Sequence, residues 1–264
     1  MKPGDVVGGF ELEQELSPSL FVAKQGAERV LVRLSHIGSD TAWIRMAVDE
    51  ARIAMSFAHR HLRRVIEVGY ADEHAIVVYE HVEGSRLLGM DMPRASAIAM
   101  TMQLCEGLHY LHVARDHSGR PLECVHGDIS PGCIILDRAG KATLLDYATR
   151  LRASRPATAA EVRERFRYLS PEQAGGRPLD ARSDQYSIAS LLWDLTVGEP
   201  RLQSELTDYQ MIEAIRGEAE APSRRRPDFP RALEMVLMRA LAVEPDARNR
   251  SIAVFAAALA GCTN

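Results

Sequence analysis

Two aspartates in the middle of the chain stand in segments whose residue types can do chemistry. Asp128 follows a histidine and a glycine, and Asp146 follows a pair of leucines. Carboxylates can accept a proton from a reacting hydroxyl, and they are also the side chains that bind hard cations such as Mg²⁺. The segments around the two aspartates decide between these roles.

Five segments stand in an order and at a spacing that together are far more specific than any one of them. They are VHGDISPGCIILD at 125–137, LLDYA at 144–148, YLSPEQ at 168–173, RSDQYS at 182–187 and PDAR at 245–248. In this respect the chain resembles the bacterial group of eukaryotic-like (Hanks-type) Ser/Thr protein kinases, whose catalytic loop, metal-binding triplet and A-P-E region follow this order. The resemblance extends from Phe10 to Leu259.

The resemblance implies roles for the residues that handle substrate and nucleotide. Asp128 matches the catalytic base that orients the substrate hydroxyl, and Asp146 matches the aspartate that holds Mg²⁺. Glu50 matches the helix glutamate that pairs with the ATP-contacting lysine of the family. The positions matching the gatekeeper and the adenine-facing hinge are Tyr79, Glu80 and Val82.

The resemblance also implies structural roles. His126 and Tyr147 match side chains that stack to link the two lobes, and Asp184 belongs to the residues that hold the C-terminal half together. Glu172 and Arg248 match a buried ion pair. Removal of one partner of such a pair costs about 3–5 kcal/mol, because the other charge is left buried and unpaired.

The chain departs from the family where the family binds phosphates. Residues 16–20, LSPSL, replace the glycine-rich loop and contain no glycine, and Pro18 has no N–H to donate. The segment predicts a tight turn between two strands that does not extend over a triphosphate. Arg33 replaces the ATP-contacting lysine and is a planar fork rather than a point charge; a structural ion pair with Glu50 is one role left to it.

Further departures affect the metal and the catalytic base. Cys133 replaces the asparagine that holds a second Mg²⁺, and a thiol is a poor ligand for a hard cation. Gly127 replaces the arginine that receives a phosphorylated activation loop. Arg165 replaces a threonine that contacts the catalytic aspartate, and we expect it to pair with Asp128. Ala148 replaces the glycine of D-F-G.

These losses predict a pseudokinase in which binding of ATP and Mg²⁺ is weak or absent. It would act by binding a protein partner, for example an active kinase, as a scaffold or allosteric regulator. Two alternatives stay open. The first is an active Ser/Thr kinase with atypical ATP handling, since Asp128, Asp146 and Glu50 remain. The second is a small-molecule phosphotransferase, because such enzymes use H-G-D in the same fold, although they lack the S-P-E segment.

The hydrophobic pattern predicts the elements that position these residues. Alternating and β-branched runs predict strands in the first third, together with a helix at 41–58 capped by Asp40; helices predominate after Gly84. The fold class is therefore α+β, a two-lobed protein-kinase-like fold with a small β-rich N-lobe and a larger α-helical C-lobe. We expect one domain, 1–264, with the N-lobe at 1–79, the hinge at 80–84 and the C-lobe at 85–264.

Composition limits the environment. The net charge of −4 argues against nucleic acid and anionic membranes as partners, and the Arg224–Arg226 run is expected to be a solvated loop. The four cysteines form no C-x-x-C pair, which gives a zinc site little support and fits a reducing compartment. With no signal peptide and no apolar stretch of membrane-spanning length, the sequence predicts a cytoplasmic protein without an anchor.

Overall fold

The computed structural model describes residues 1–38, 41–89, 91–147, 159–203 and 205–262. These residues form two compact units, one of residues Met1–Glu83 and 145–147 and the other of residues Gly84–Leu144 and 159–262. The first unit is mostly sheet and the second mostly helix, which confirms the predicted α+β fold class. Two positions discussed above, Asp40 and Ala148, lie outside the described residues.

A six-stranded antiparallel sheet forms most of the first unit. Its order is β1-β2-β3-β4-β6-β5, and one helix, α1 (Thr41–Ala54), packs on it. The strands are β1 (Val6–Val7), β2 (Phe10–Ser17), β3 (Leu20–Gln25), β4 (Glu28–His36), β5 (Val65–Ala71) and β6 (His74–Glu80). Alternate residues of the strands point to one face and build a core that includes Phe10, Phe21, Val32 and Val78.

The turn between β2 and β3 is as short as the sequence predicts. Ser17 pairs with Leu20, so the turn consists of Pro18 and Ser19 alone. Ser19 adopts a φ of 70°, which after a proline is the pattern of a type II turn. Its carbonyl accepts a hydrogen bond of 2.8 Å from the N–H of Leu34 in β4, which ties the turn to the sheet.

The second unit combines a small sheet with seven helices in the part of the chain described. Its three strands are β7 (Ser85–Arg86), β8 (Ile134–Leu136) and β9 (Ala142–Leu144). The helices are α2 (Arg94–His112), α3 (Ala159–Phe166), α4 (Pro171–Ala174), α5 (Ala181–Val197), α6 (Asp208–Arg216), α7 (Arg231–Ala240) and α8 (Ile252–Ala260). No helix among the described residues combines the length and apolar character needed to cross a bilayer.

Helix α5 is the buried centre of the second unit. It begins at Ala181, earlier than the apolar run at 187–197 indicates, because Asp180 caps it by accepting the N–H of Arg182 at 2.7 Å. It ends at Gly198, whose φ of 85° suits a glycine after a helix. Trp193 on this helix is fully buried.

Two sequence-based expectations about local structure are wrong. Helix α1 ends at Ala54 rather than at residue 58, because Phe57 leaves the helix and packs its ring 6.2 Å from that of Tyr147. The Arg224–Arg226 run is not simply a solvated loop. Arg225 lies over the Trp193 ring at 4.8 Å, pairs with Glu220 at 2.9 Å, and donates to two backbone carbonyls.

Candidate functional site

The segment around Asp128 is held in place by a buried carboxylate of helix α5. Asp184 is fully buried and accepts the backbone N–H groups of His126 and Gly127, both at 2.8 Å. Its second oxygen also lies 2.8 Å from Nε2 of His112. Three donors on one carboxylate satisfy a group that would otherwise be costly to bury, so Asp184 fixes the backbone that presents Asp128.

Asp128 is paired with Arg165, as the sequence predicts. Nε of Arg165 donates to Oδ1 of Asp128 at 2.9 Å, and Nη2 lies 2.6 Å from Oδ2. The pair is partly buried, with 19% of the Asp128 side chain and 32% of the Arg165 side chain exposed. Both oxygens that would accept a proton from a substrate hydroxyl therefore face a guanidinium.

The side chain of Cys133 makes hydrogen bonds within its own turn. Its thiol donates to the carbonyl of Ser130 at 3.0 Å, and the N–H of Ser130 contacts the sulfur at 3.3 Å. The residue is fully buried in the short 3₁₀ turn Pro131–Cys133. This position therefore presents a soft sulfur committed to local hydrogen bonds, in place of an amide oxygen that suits Mg²⁺.

In the first unit, Asp146 faces two arginines. Nη2 of Arg63 lies 2.8 Å from Oδ1 of Asp146, and Nη2 of Arg33 lies 3.6 Å from the same oxygen. All three side chains are buried, with exposures of 1% for Arg63, 4% for Arg33 and 8% for Asp146. The structure thus pairs Arg33 with Asp146 and not with Glu50, which the sequence left open as its partner.

The sequence pattern does not predict the role of Arg63. Its guanidinium lies 4.1 Å from the centre of the Tyr79 ring, and its carbonyl accepts the hydroxyl of Tyr147 at 2.7 Å. The available signal was a charged residue that directly follows the buried Leu62 and is separated from strand β5 only by Arg64. A buried arginine at such a position needs a carboxylate partner.

The remaining positions to which the resemblance assigns nucleotide contacts lie on helix α1 and at the end of strand β6, with Glu80 still in the strand rather than in the predicted hinge. Glu50 is on helix α1, Tyr79 and Glu80 are at the end of β6, and Val82 follows that strand, partly buried. The Glu80 carboxylate accepts the backbone N–H of Arg64 at 2.8 Å, so this side chain supports the strand end.

The residues present do not fit Mg²⁺ and a triphosphate well. Asp146 already neutralises a guanidinium, Cys133 offers sulfur, and the Pro18–Ser19 turn supplies no glycine N–H groups. Across the described ranges, no three His, Cys, Asp or Glu side chains converge in a way that could hold a metal ion.

The ion pair that the sequence predicts between Glu172 and Arg248 is present and complete. Arg248 donates to both carboxylate oxygens of Glu172, at 2.8 and 2.7 Å, and the Ser183 hydroxyl adds a third bond at 2.6 Å. Burial acts to raise the pKa of Glu172, but Arg248 and Ser183 outweigh it and lower the pKa to about 2. The ring of Tyr186 lies 5.0 Å from the Arg248 guanidinium.

A partly buried carboxylate, Asp194 on helix α5, was also missed. It accepts the hydroxyl of Tyr168 at 3.0 Å and the N–H of Arg201 at 2.7 Å, and it lines an open groove of the second unit. Burial raises the pKa of Asp194 to about 6. Its position in the apolar helix, directly after Trp193, gave the sequence signal that a polar partner is needed.

Comparison with known proteins adds independent findings. The model of the protein kinase domain matches residues 24–256. The chain is 30% identical over 259 residues to tyrosine-protein kinase MasK of Myxococcus xanthus, covering 91% of this chain and 40% of that protein. It is 27% identical over 264 residues to serine/threonine-protein kinase PknB of Mycobacterium leprae, covering 95% and 41%.

Solved structures agree with the fold. The kinase domain of Mycobacterium tuberculosis PknI superposes with a TM-score of 0.74 at 22% identity, covering 99% of this chain and 98% of that one. At this identity the likeness shows the fold and nothing finer. The chain spans about two fifths of the length of the curated relatives named above.

Proposed function

This chain belongs to the protein kinase family, in its bacterial Hanks-type group, and we propose that it is a pseudokinase. The carrying observation is the pair between Asp128 and Arg165, with contacts of 2.9 and 2.6 Å. A carboxylate that acts as catalytic base must offer an oxygen to the substrate hydroxyl, within hydrogen-bond reach. Here both oxygens are directed at a cation of the same chain.

Other observations support weak or absent handling of ATP and Mg²⁺. The short Pro18–Ser19 turn, the thiol of Cys133 and the guanidinium on Asp146 each remove one element that the family uses. Loss of a single electrostatic contact to a transition state typically costs about 2.7–4 kcal/mol. Such losses do not add simply, yet together they reduce a rate by several orders of magnitude.

The test of this proposal compares the chain with its Asp128→Asn variant. Phosphotransfer from radiolabelled ATP to the chain itself and to a generic acceptor protein is followed with Mg²⁺ and with Mn²⁺. We expect the two proteins to give the same background incorporation. A signal from the natural chain that disappears in Asp128→Asn would overturn the proposal.

An active protein kinase is the second candidate, and one observation favours it. The three acids of the family's active site, Asp128, Asp146 and Glu50, are all present. If the chain is active, the acceptor residue is open, since one relative is named a tyrosine kinase and others serine/threonine kinases. A small-molecule phosphotransferase has lost its support, because the protein kinase domain matches residues 24–256.

As a pseudokinase the chain acts by binding a protein, and an active kinase of the same family is the partner we propose. The net charge of −4 favours a protein partner over nucleic acid or an anionic membrane, and we place the domain in the cytoplasm. The measurement is the autophosphorylation rate of a purified bacterial Ser/Thr kinase domain titrated with this chain. A saturable change in rate supports a regulatory role, and an unchanged rate across several such kinases contradicts it.

A further inference from the structure

We propose that Arg63 is a built-in counter-cation that takes the place of a metal ion on Asp146. This inference deepens the proposed function, because it states why the family's metal-binding carboxylate is retained in a domain that does not fit Mg²⁺. It makes Asp146 a structural residue of the first unit rather than a metal ligand.

The charge of Arg63 must be balanced where it lies. An arginine stays protonated in proteins, and this one has 1% of its side chain exposed. A buried cation is tolerated when a carboxylate contacts it, and Asp146 does so at 2.8 Å. Arg33, at 3.6 Å from the same oxygen, adds a second positive charge. Two cations therefore depend on the negative charge of Asp146.

Arg63 is also held from three directions. The Tyr79 ring supports its guanidinium at 4.1 Å, Asp146 contacts the end of the side chain, and the Tyr147 hydroxyl donates to its carbonyl at 2.7 Å. Arg63 is thereby joined to two consecutive residues, one through its side chain and the other through its backbone. This double attachment fixes residues 146 and 147 to strand β6 and to the segment before β5.

A metal ion would have to displace this arrangement. Mg²⁺ binds carboxylate oxygens at about 2.0–2.1 Å and gives up its water shell reluctantly. On Oδ1 of Asp146 it would replace a guanidinium and leave Arg63 buried without a counter-charge. Arg33 beside the same oxygen would repel it. Contact of Asp146 with Arg63 is therefore favoured over binding of a metal ion from solution.

The test is a double-mutant cycle on Asp146 and Arg63, measured by thermal unfolding without nucleotide. Asp146→Asn keeps the size of the side chain but removes the charge on which two buried arginines depend. We expect it to lower Tm by on the order of 10 °C, the effect of breaking a buried ion pair in a domain of this size. In an Arg63→Met background the same change should lower Tm by less than half as much.

Controls separate this role from general sensitivity. Arg64→Met removes a neighbouring arginine that is exposed, and should change Tm by no more than about 2 °C. If Arg63→Met does not fold, Arg63→Lys keeps the positive charge, and Asp146→Asn should then still lower Tm strongly. The inference is overturned if Asp146→Asn leaves Tm unchanged, or if its effect is the same with and without Arg63.

A metal titration distinguishes failure of this inference from failure of the proposed function. We expect Mg²⁺ or Mn²⁺ added with ATP to leave the Tm of the natural chain unchanged and to raise that of Arg63→Met. If Arg63→Met folds but its Tm does not rise with added metal and ATP, the proposed role of Arg63 is contradicted and the pseudokinase proposal is unaffected. Metal-dependent stabilisation of the natural chain contradicts the role of Arg63 as well, and phosphotransfer lost in Asp128→Asn separately overturns the pseudokinase proposal.

Discussion

Glu172 in the second unit and Asp146 in the first are both buried carboxylates bound by arginine, yet their surroundings differ. Glu172 receives both ends of the Arg248 fork and a serine hydroxyl. Asp146 shares one oxygen between two arginines, and the Nε atoms of Arg33 and Arg63 have no hydrogen-bond partner. The first network pairs one arginine with both oxygens of one carboxylate, whereas in the second two arginines contact a single carboxylate oxygen.

The difference shows that the type of residue at a family position does not by itself determine its role. The Glu172–Arg248 pair does what the sequence resemblance implies, and it supports the fold of the second unit. Asp146 matches the metal-binding position of the family, but the contacts described for its carboxylate are with Arg63 and Arg33. A carboxylate in a familiar motif is therefore weak evidence for metal binding until its neighbours are known.

The largest effect expected in this comparison is that of Glu172→Gln. It leaves Arg248 buried without a counter-charge, so we expect a loss of about 3–5 kcal/mol of stability, measured by urea unfolding. The matched control is Arg177→Met, which removes a solvent-exposed arginine 3.6 Å from Glu244 and should cost less than about 1 kcal/mol. Equal losses in the two variants would remove the contrast between a buried and an exposed pair.

The pH dependence of the same pair sharpens the comparison. Because the pKa of Glu172 is lowered from 4.5 to about 2 in the folded state, its contribution to stability is present above pH 4.5. This contribution is lost as pH falls through the folded-state value. Between pH 5 and about pH 2.5, the free energy of unfolding of the natural chain should therefore fall more steeply with decreasing pH than that of Glu172→Gln.

The contribution of Asp194 to stability should change with pH in the opposite direction to that of Glu172. Burial raises its pKa from 3.8 to about 6, so its contribution favours the folded state below pH 3.8 and is lost as pH rises through about 6. We expect Asp194→Asn to remove that pH-dependent loss, an effect on the order of 2 kcal/mol between pH 4 and pH 7. If the stability of Asp194→Asn depends on pH in the same way as that of the natural chain, folding does not raise the pKa of Asp194.

The smallest effect on stability is expected for Arg165→Ala. This pair is partly exposed, and such pairs contribute about 0–1 kcal/mol, so Tm should change by no more than a few degrees. The variant removes the guanidinium of Arg165 from Asp128 but leaves Cys133 and the contacts of Asp146 as they are. We therefore expect no gain of phosphotransfer in the radiolabel assay; strong gain would make Arg165 the sole block to activity.

The sequence predicted those features whose partners are fixed by short spacing or by family position. The Pro18–Ser19 turn, the Asp128–Arg165 pair and the Glu172–Arg248 pair belong to this class. It did not predict the role of Arg63, whose carboxylate partner lies 83 positions away along the chain. Long-range pairing of a buried charge depends on how the chain folds back, which local periodicity does not encode.

The ends of some helices and strands were predicted wrongly for a related reason. The helical pattern continues past Ala54 to residue 58, but the packing of Phe57 against Tyr147 ends helix α1 earlier. The short strands β7 to β9 carry too few residues for an alternating pattern to be recognised. In each case tertiary contacts decided what composition left open.

The backbone at Gly127 limits the side chains that this position can carry. It occupies a φ of 69°, and a Cβ added there would meet nothing closer than a Leu179 methyl at 3.8 Å, so space does not forbid a larger residue. The backbone does, since a side chain at such a φ costs about 1–2 kcal/mol. Restoring the family's arginine would therefore lower stability before it restored any switch. The conformation of one glycine thus limits which side chains can be introduced next to the Asp128 position.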